Sequence, residues 1–177
     1  MSPKRVKVGE EAPTFSMKSY NKGNIDLQQI LKENPNKKLV LIFSRYFGCP
    51  ICQLDTQEVL NVKEDIREKN GMILLVTQSG SEIAEKKIKE LGIDFPVIPS
   101  TPEELYADYG LGLMTLSTTI QIPKRLIKAK KAGFEHGAYE GKESQCPGQF
   151  IINSSGKVIH AKKGWFDPES LLRDLEQ

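Results

Sequence analysis

Two apolar runs of strand length stand out along the chain, Lys38-Leu39-Val40-Leu41-Ile42-Phe43 and Gly71-Met72-Ile73-Leu74-Leu75-Val76. Neither alternates with polar residues, so each predicts a strand buried on both faces of a sheet. Between them Leu54, Val59, Val62 and Ile66 recur at helical spacing, with Gly71 as the stop. Ser81 can cap a further helix that runs through Leu91 to Gly92. Upstream, a strand is expected near residues 14–18, then turn chemistry at Asn21-Lys22-Gly23. Ile25-Asp26-Leu27 either resumes the strand or starts a helix through Leu31, and Glu33 to Lys37 is a polar loop.

Downstream, Phe95 to Pro99 is a short extended piece, and Pro102 to Tyr109 a short helix ended by Gly110. Ser117 to Gly133 scatters Ile120, Leu126, Ile127 and Ala132 among lysines; it predicts a helical, exposed insertion interrupted at Pro123. Gln149 to Asn153, the turn Ser154-Ser155-Gly156 and Lys157 to Ala161 predict a β-hairpin. Asp167 then caps a helix with Pro168 at its first position and Leu171, Leu172 and Leu175 on its apolar side. Early alternation of strands and helices implies parallel strands with crossover helices, and the hairpin adds antiparallel ones. The expected architecture is α/β, a central mixed β-sheet flanked by helices, with a helical insertion before the C-terminal β-hairpin. No linker or repeat divides the chain, so residues 1–177 are expected to form a single domain.

Composition narrows the function. Lys+Arg total 25 against 23 Asp+Glu, a balance that gives no drive toward nucleic acid or an anionic membrane. The N-terminal stretch Met1 to Lys7 is charged and lacks the apolar run of a signal peptide, so a cytoplasmic location is expected. In that compartment three cysteines, two of them in Cys49-Pro50-Ile51-Cys52, point to redox chemistry or metal binding rather than a disulfide scaffold. Cys49 follows a buried strand through a short loop, and Pro50 suits the first turn of the next helix. Free N–H groups and the helix dipole there favour a thiolate, and Arg45 can add positive charge. Cys49 would attack and Cys52 would resolve. Zinc normally takes four ligands, and no second C-x-x-C or zinc-spaced His pair is present.

The stretch Phe43-Ser44-Arg45-Tyr46-Phe47-Gly48-Cys49-Pro50-Ile51-Cys52-Gln53 resembles the active-site segment of the peroxiredoxin-like branch of the AhpC/TSA family (alkyl hydroperoxide reductase and thiol-specific antioxidant). Ala12 to Phe15, Phe95 to Pro99 with Tyr106 to Gly110, and Pro147 to Gly156 carry the likeness through most of the chain. The resemblance implies a thioredoxin-like fold and a redox nucleophile at Cys49 with a resolving thiol at Cys52. It implies no organic cofactor, an antioxidant role, and a protein or small-thiol reductant. Two departures stand out. Typical members place Pro seven residues and Thr or Ser three residues before the nucleophile, where this chain has Ile42 and Tyr46. They also place an Arg before the Phe150-type strand, where this chain has Pro147.

The same resemblance implies a cis bond before Pro147, with Cys146 facing the C-x-x-C. Cys146 then has three readings: a small apolar residue, a backup resolving thiol, or a ligand. Three thiolates at Cys49, Cys52 and Cys146 would suit an iron–sulfur cluster or Cu(I). A fourth ligand would come from His136, a carboxylate such as Glu140 or Glu143, a second subunit or an exogenous thiol. His136 is otherwise a candidate acid/base or a solvent-exposed loop residue. Lys124, Arg125, Lys128, Lys130 and Lys131 read as a solvated helix face, and Trp165 as a packing residue of the hairpin. The leading expectation is an oxidoreductase, a thiol peroxidase or thiol–disulfide oxidoreductase acting on a peroxide or disulfide. The alternative is an iron–sulfur electron carrier or sensor on the same fold, with an electron-transfer partner. A non-enzymatic interaction module ranks below both. No nucleic acid or membrane partner is expected, and a homodimer is left open.

Overall fold

The computed structural model describes residues 5–177, so the reading of Met1 to Lys4 falls outside the described residues. Strand β1 (Ser16–Lys18) and β2 (Asn24–Asp26) form a small antiparallel hairpin. Helix α1 (Leu27–Glu33) follows directly, so the Ile25-Asp26-Leu27 segment both ends a strand and begins a helix. Asp26 is the joint, its carboxylate accepting from the Gln29 N–H at 2.9 Å. Then come β3 (Lys38–Phe43), α2 (Pro50–Glu68), β4 (Gly71–Thr77), α3 (Ser81–Leu91) and β5 (Val97–Pro99). A π-helical turn at Pro102–Tyr106 precedes α4 (Leu116–Ile120), α5 (Ile122–Lys131), β6 (Gly148–Ile152), β7 (Val158–Lys163) and α6 (Pro168–Leu175).

The main sheet runs β5-β4-β3-β6-β7. β3, β4 and β5 are parallel, while β6 is antiparallel to β3 and to β7. This is the mixed, thioredoxin-like sheet that the sequence pattern predicts. The absence of alternation in β3 has its reason here: Leu39, Leu41 and Phe43 enter one core with α1, Tyr106 and Tyr109. Val40 and Ile42 enter the other, beneath Val59 and Ile66 of α2 and Leu171 and Leu175 of α6. Fully burying each such side chain is worth about 1.5–3 kcal/mol. Among the described residues no helix is long and apolar enough to cross a membrane.

Several boundaries differ from expectation. Helix α2 stops at Glu68, and Asn70 rather than Gly71 takes the left-handed conformation (φ 61°). Gly71 is needed for space instead, since a Cβ there would lie 2.5 Å from the Ile66 side chain. Helix α3 has Gly80 at its N-cap, with Ser81 its first residue and no side-chain cap bond. The insertion is two helices rather than one, and Pro123 sits in the first turn of α5, where its missing N–H costs no bond. Asp167 caps α6 as predicted, accepting from Ser170 N–H at 3.2 Å.

Candidate active site

β3 delivers the chain to the site. The segment from Ser44 to Gly48 turns over the end of the sheet into α2, with Pro50 at the first helical position. Cys49 is the N-cap residue, and its Sγ accepts a hydrogen bond from Cys52 N–H at 3.3 Å. The sulfur therefore stands at the positive end of a 19-residue helix, among N–H groups that lack helical partners. A second donor comes from Arg45, whose Nη2 lies 2.8 Å from Cys49 Sγ. That guanidinium is itself buried. It donates to the Glu143 carbonyl, lies 3.9 Å from the Glu143 carboxylate and packs 5.1 Å from the Trp165 ring centre.

These surroundings split the two thiols. The hydrogen bond from the Cys52 thiol, with the Arg45 charge, brings Cys49 down to about 6 against the opposing effect of burial. Burial, and then the bond it makes to Cys49, push Cys52 well above the usual thiol range. At neutral pH the pair is a thiolate at Cys49 beside a thiol at Cys52, which is the charge arrangement of a nucleophile and its resolving partner.

The segment after α5 covers this pair. Gly137 N–H donates to the Gly48 carbonyl at 2.8 Å, and Gln53 Nε2 donates to the Glu135 carbonyl at 2.8 Å. A Cβ on Gly48 would fall 2.3 Å from the Ala138 carbonyl oxygen, so only glycine admits this approach. The fully buried Tyr46 donates its hydroxyl proton to the Glu143 carboxylate, and His136 Nε2 lies 3.3 Å from the Tyr46 hydroxyl oxygen. His136 stacks on Tyr139 with ring centres 4.0 Å apart. A cavity of about 390 Å³ opens beside Cys49, apolar on the side of Ile51, Met114, Ile122 and Leu126 and polar on the side of Arg45, His136 and Glu143.

The AhpC/TSA family description matches residues 8–161. The chain belongs to the AhpC/TSA family. A prostamide/prostaglandin F synthase of Salmo salar is 26% identical over 153 residues, covering 82% of this chain and 74% of that protein. A peroxiredoxin bcp of Helicobacter pylori (strain J99) is 25% identical over 109 residues, covering 60% of this chain and 69% of that one. Among solved structures, peroxidoxin BcpB of Mycobacterium tuberculosis superposes with a TM-score of 0.70 at 14% identity, covering 97% of each chain. That last likeness shows the thioredoxin-like fold.

As an AhpC/TSA protein the chain has an unusual site. Tyr46 fills the place of the usual Thr or Ser, and its hydroxyl is taken up by Glu143 and His136. The positive charge expected from an Arg before Phe150 comes from Arg45 instead. Arg45 lies four residues before the nucleophile in the chain.

Cys146 requires a correction. The bond before Pro147 is trans, since no cis peptide occurs among the described residues. Cys146 Sγ turns back on the Pro147 carbonyl at 3.2 Å, its N–H pairs with the Gly112 carbonyl, and Thr115, Thr118 and Gly164 surround the sulfur. Burial raises this thiol, as expected of a small buried residue. Among the described residues no group of three His, Cys, Asp or Glu side chains is placed to hold a metal. The iron–sulfur or Cu(I) alternative at Cys49, Cys52 and Cys146, with His136, Glu140 or Glu143 as fourth ligand, thus finds no support in this arrangement. Pro147 immediately precedes β6 through a trans bond, and its carbonyl accepts from Gly164 N–H at 2.8 Å.

Two other readings also change. Arg125 turns inward from the basic run and pairs with Asp55, itself 6% exposed. It also reaches Glu58 at 3.2 Å, and Lys128 reaches Glu58 at 2.8 Å. Trp165 packs with Cys49, Cys52, Ile51 and Tyr46, and its Nε1 donates to the Thr118 carbonyl at 3.0 Å. Asp55 was not among the expected site residues. Its one sequence signal is a carboxylate on the side of α2 that otherwise carries Cys52 and Val59 toward the interior.

Proposed function

We propose that this AhpC/TSA protein is a two-cysteine thiol peroxidase. The observation that carries the reading is the donor set on Cys49 Sγ, Arg45 Nη2 at 2.8 Å and Cys52 N–H at 3.3 Å. Cys49 is only 2% exposed, a setting that suits a small peroxide better than a folded disulfide-bearing partner. The Cys49 thiolate attacks one peroxide oxygen; an S–O bond forms, the O–O bond breaks, and water or an alcohol leaves with a proton. Cys52 then attacks the sulfur of the resulting sulfenic acid, forming the Cys49–Cys52 disulfide and releasing water. An external thiol reductant resets the pair, and no cofactor enters either step. The apolar side of the cavity suits the tail of an organic hydroperoxide, and a reducing, cytoplasmic setting suits a pair that must be returned to thiols.

The test is stoichiometric. One equivalent of peroxide should remove two titratable thiols from the reduced protein, mapped to Cys49 and Cys52 by mass. Cys52→Ser should stop at a trappable sulfenic acid. Thiols that survive a tenfold excess of hydrogen peroxide and of an organic hydroperoxide would sink the reading. Tyr46 in place of Thr removes one donor to the peroxide, and such losses commonly cost about 10²–10³ in rate. Turnover should be correspondingly slow.

A further inference from the structure

Beyond the cysteine pair, the molecule holds a buried ion pair between α2 and the insertion that the proposed chemistry does not yet use. We propose that Asp55 accepts the proton that Cys52 loses as its sulfur attacks Cys49, and that Arg125 keeps Asp55 ionised for that step. The assignment rests on the peroxidase reading for the identity of the oxidant.

The geometry comes first. Asp55 follows Cys52 by three residues within α2, so the two side chains share a helix face one turn apart. Both are buried, Cys52 at 1% and Asp55 at 6% exposure. A buried thiol cannot pass its proton straight to bulk water, and Asp55 is the titratable carboxyl on its own face. The groups that face Asp55 come from three elements. Arg125 arrives from α5, Glu58 and Cys52 from α2, and Phe166 N–H, from the loop before α6, donates to Oδ2 at 3.1 Å. Lys128 balances Glu58 from the same helix as Arg125.

Packing alone does not call for this carboxylate. Burying an ion costs several kcal/mol, and an apolar residue of similar volume often serves as well or better. Electrostatics agree with the geometry. Burial, opposed by Arg125, pushes the Asp55 carboxyl up to about 7, and negative charge on Cys52 pushes the same way. A proton on one group therefore opposes a proton on the other, as a donor and its acceptor require.

The step balances. Cys52 gives its proton to the Asp55 carboxylate, and its thiolate attacks the sulfur of the Cys49 sulfenic acid. The S–S bond forms, the S–O bond breaks, and hydroxide leaves to become water. Asp55 returns its proton as the site re-equilibrates, so sulfenic acid plus thiol gives disulfide plus water.

The test avoids peroxide, so that failure here and failure of the peroxidase reading are separable. Reduced protein in a Cys146→Ala background is mixed with one equivalent of 2,2′-dithiodipyridine in a stopped-flow instrument. The first pyridine-2-thione released reports attack by Cys49, and the second reports displacement by Cys52. With Asp55→Asn the second release should slow about 10²-fold or more at pH 7 and lose its dependence on pH near neutrality. The first release should stay within twofold, and Asp55→Glu should recover part of the loss. Arg125→Met should move the midpoint of the second release to higher pH while leaving the first in place. A second release in Asp55→Asn that keeps the parent's rate and pH profile would overturn the assignment, as would both releases falling together. Should Asp55→Asn fail to fold, Arg125→Met decides, and an unmoved midpoint counts against the proposal. If peroxide leaves the thiols intact while the two releases behave as expected, the peroxidase reading fails and the role of Asp55 stands.

Discussion

Consider replacing Arg45 with methionine, which keeps much of the buried stem and deletes the charge. Nη2 lies 2.8 Å from Cys49 Sγ. The charge is spread over the guanidinium, so its centre is roughly 4 Å from the sulfur, where two unit charges interact by about 4 kcal/mol at an effective dielectric of about 20. At about 1.4 kcal/mol per pKa unit, that is about three units. Cys52 still donates through its thiol and its N–H, so the expected rise for Cys49 is about two to three units, from about 6 to about 8–9. At pH 7 the thiolate fraction then falls from about nine-tenths to between about a tenth and a hundredth. Each remaining thiolate is more basic and more nucleophilic, by about 6–30-fold for a Brønsted slope of about 0.4–0.5. The two effects largely offset at neutral pH, where the alkylation rate should drop by at most about sixfold. Above about pH 8 the variant should overtake the parent, so the two pH–rate curves cross. The assay is iodoacetamide alkylation between pH 4.5 and about 10, with the modified cysteine assigned by mass and the fold checked by circular dichroism. Arg45→Lys, which retains a cation, should titrate between the two. A midpoint still near that of the parent in a folded Arg45→Met protein would refute the reasoning, because the helix terminus and Cys52 would then suffice to hold the thiolate.

Two further outcomes are expected. Cys146→Ala should leave the Cys49 alkylation midpoint within a few tenths of a unit of the parent, because Cys146 Sγ is engaged with the Pro147 carbonyl and is ringed by Thr115, Thr118 and Gly164; a large shift would place it back in the site. Asp167→Ala should cost about 0.5–2 kcal/mol in urea unfolding at pH 7 through loss of the α6 cap. Against burial, Lys162 and the Ser170 N–H hold the Asp167 carboxyl down to about 2, so its contribution is complete above the unfolded carboxylate range near pH 4 and is lost as pH falls through about 2. The gap between parent and variant should narrow over that window, and a gap that is constant with pH would argue against the cap and ion pair as its source.

What could be read from the sequence follows from short-range physics. The non-alternating runs at β3 and β4, the cap at Asp167 and the C-x-x-C placed between a buried strand and a helix each fit in a window of about a dozen residues. Periodicity and capping act over that distance, so strand, helix and nucleophile position are visible there, and with them the mixed sheet. Tertiary structure decided the rest. Arg125 meets Asp55 across 70 positions of sequence, and Tyr46 meets Glu143 across 97. No local pattern separates Arg125 from the solvated lysines beside it; only the docking of α5 on α2 turns it inward. Cys146 shows the opposite case. Its neighbour Pro147 suggested a third thiol at the site, yet the trans bond and the pairing of Cys146 N–H with Gly112 hold the sulfur among the threonines of the insertion. The sequence carries the identity of the two cysteines, and their unequal acidity depends on which buried charges the folded chain brings within a few ångströms of each sulfur.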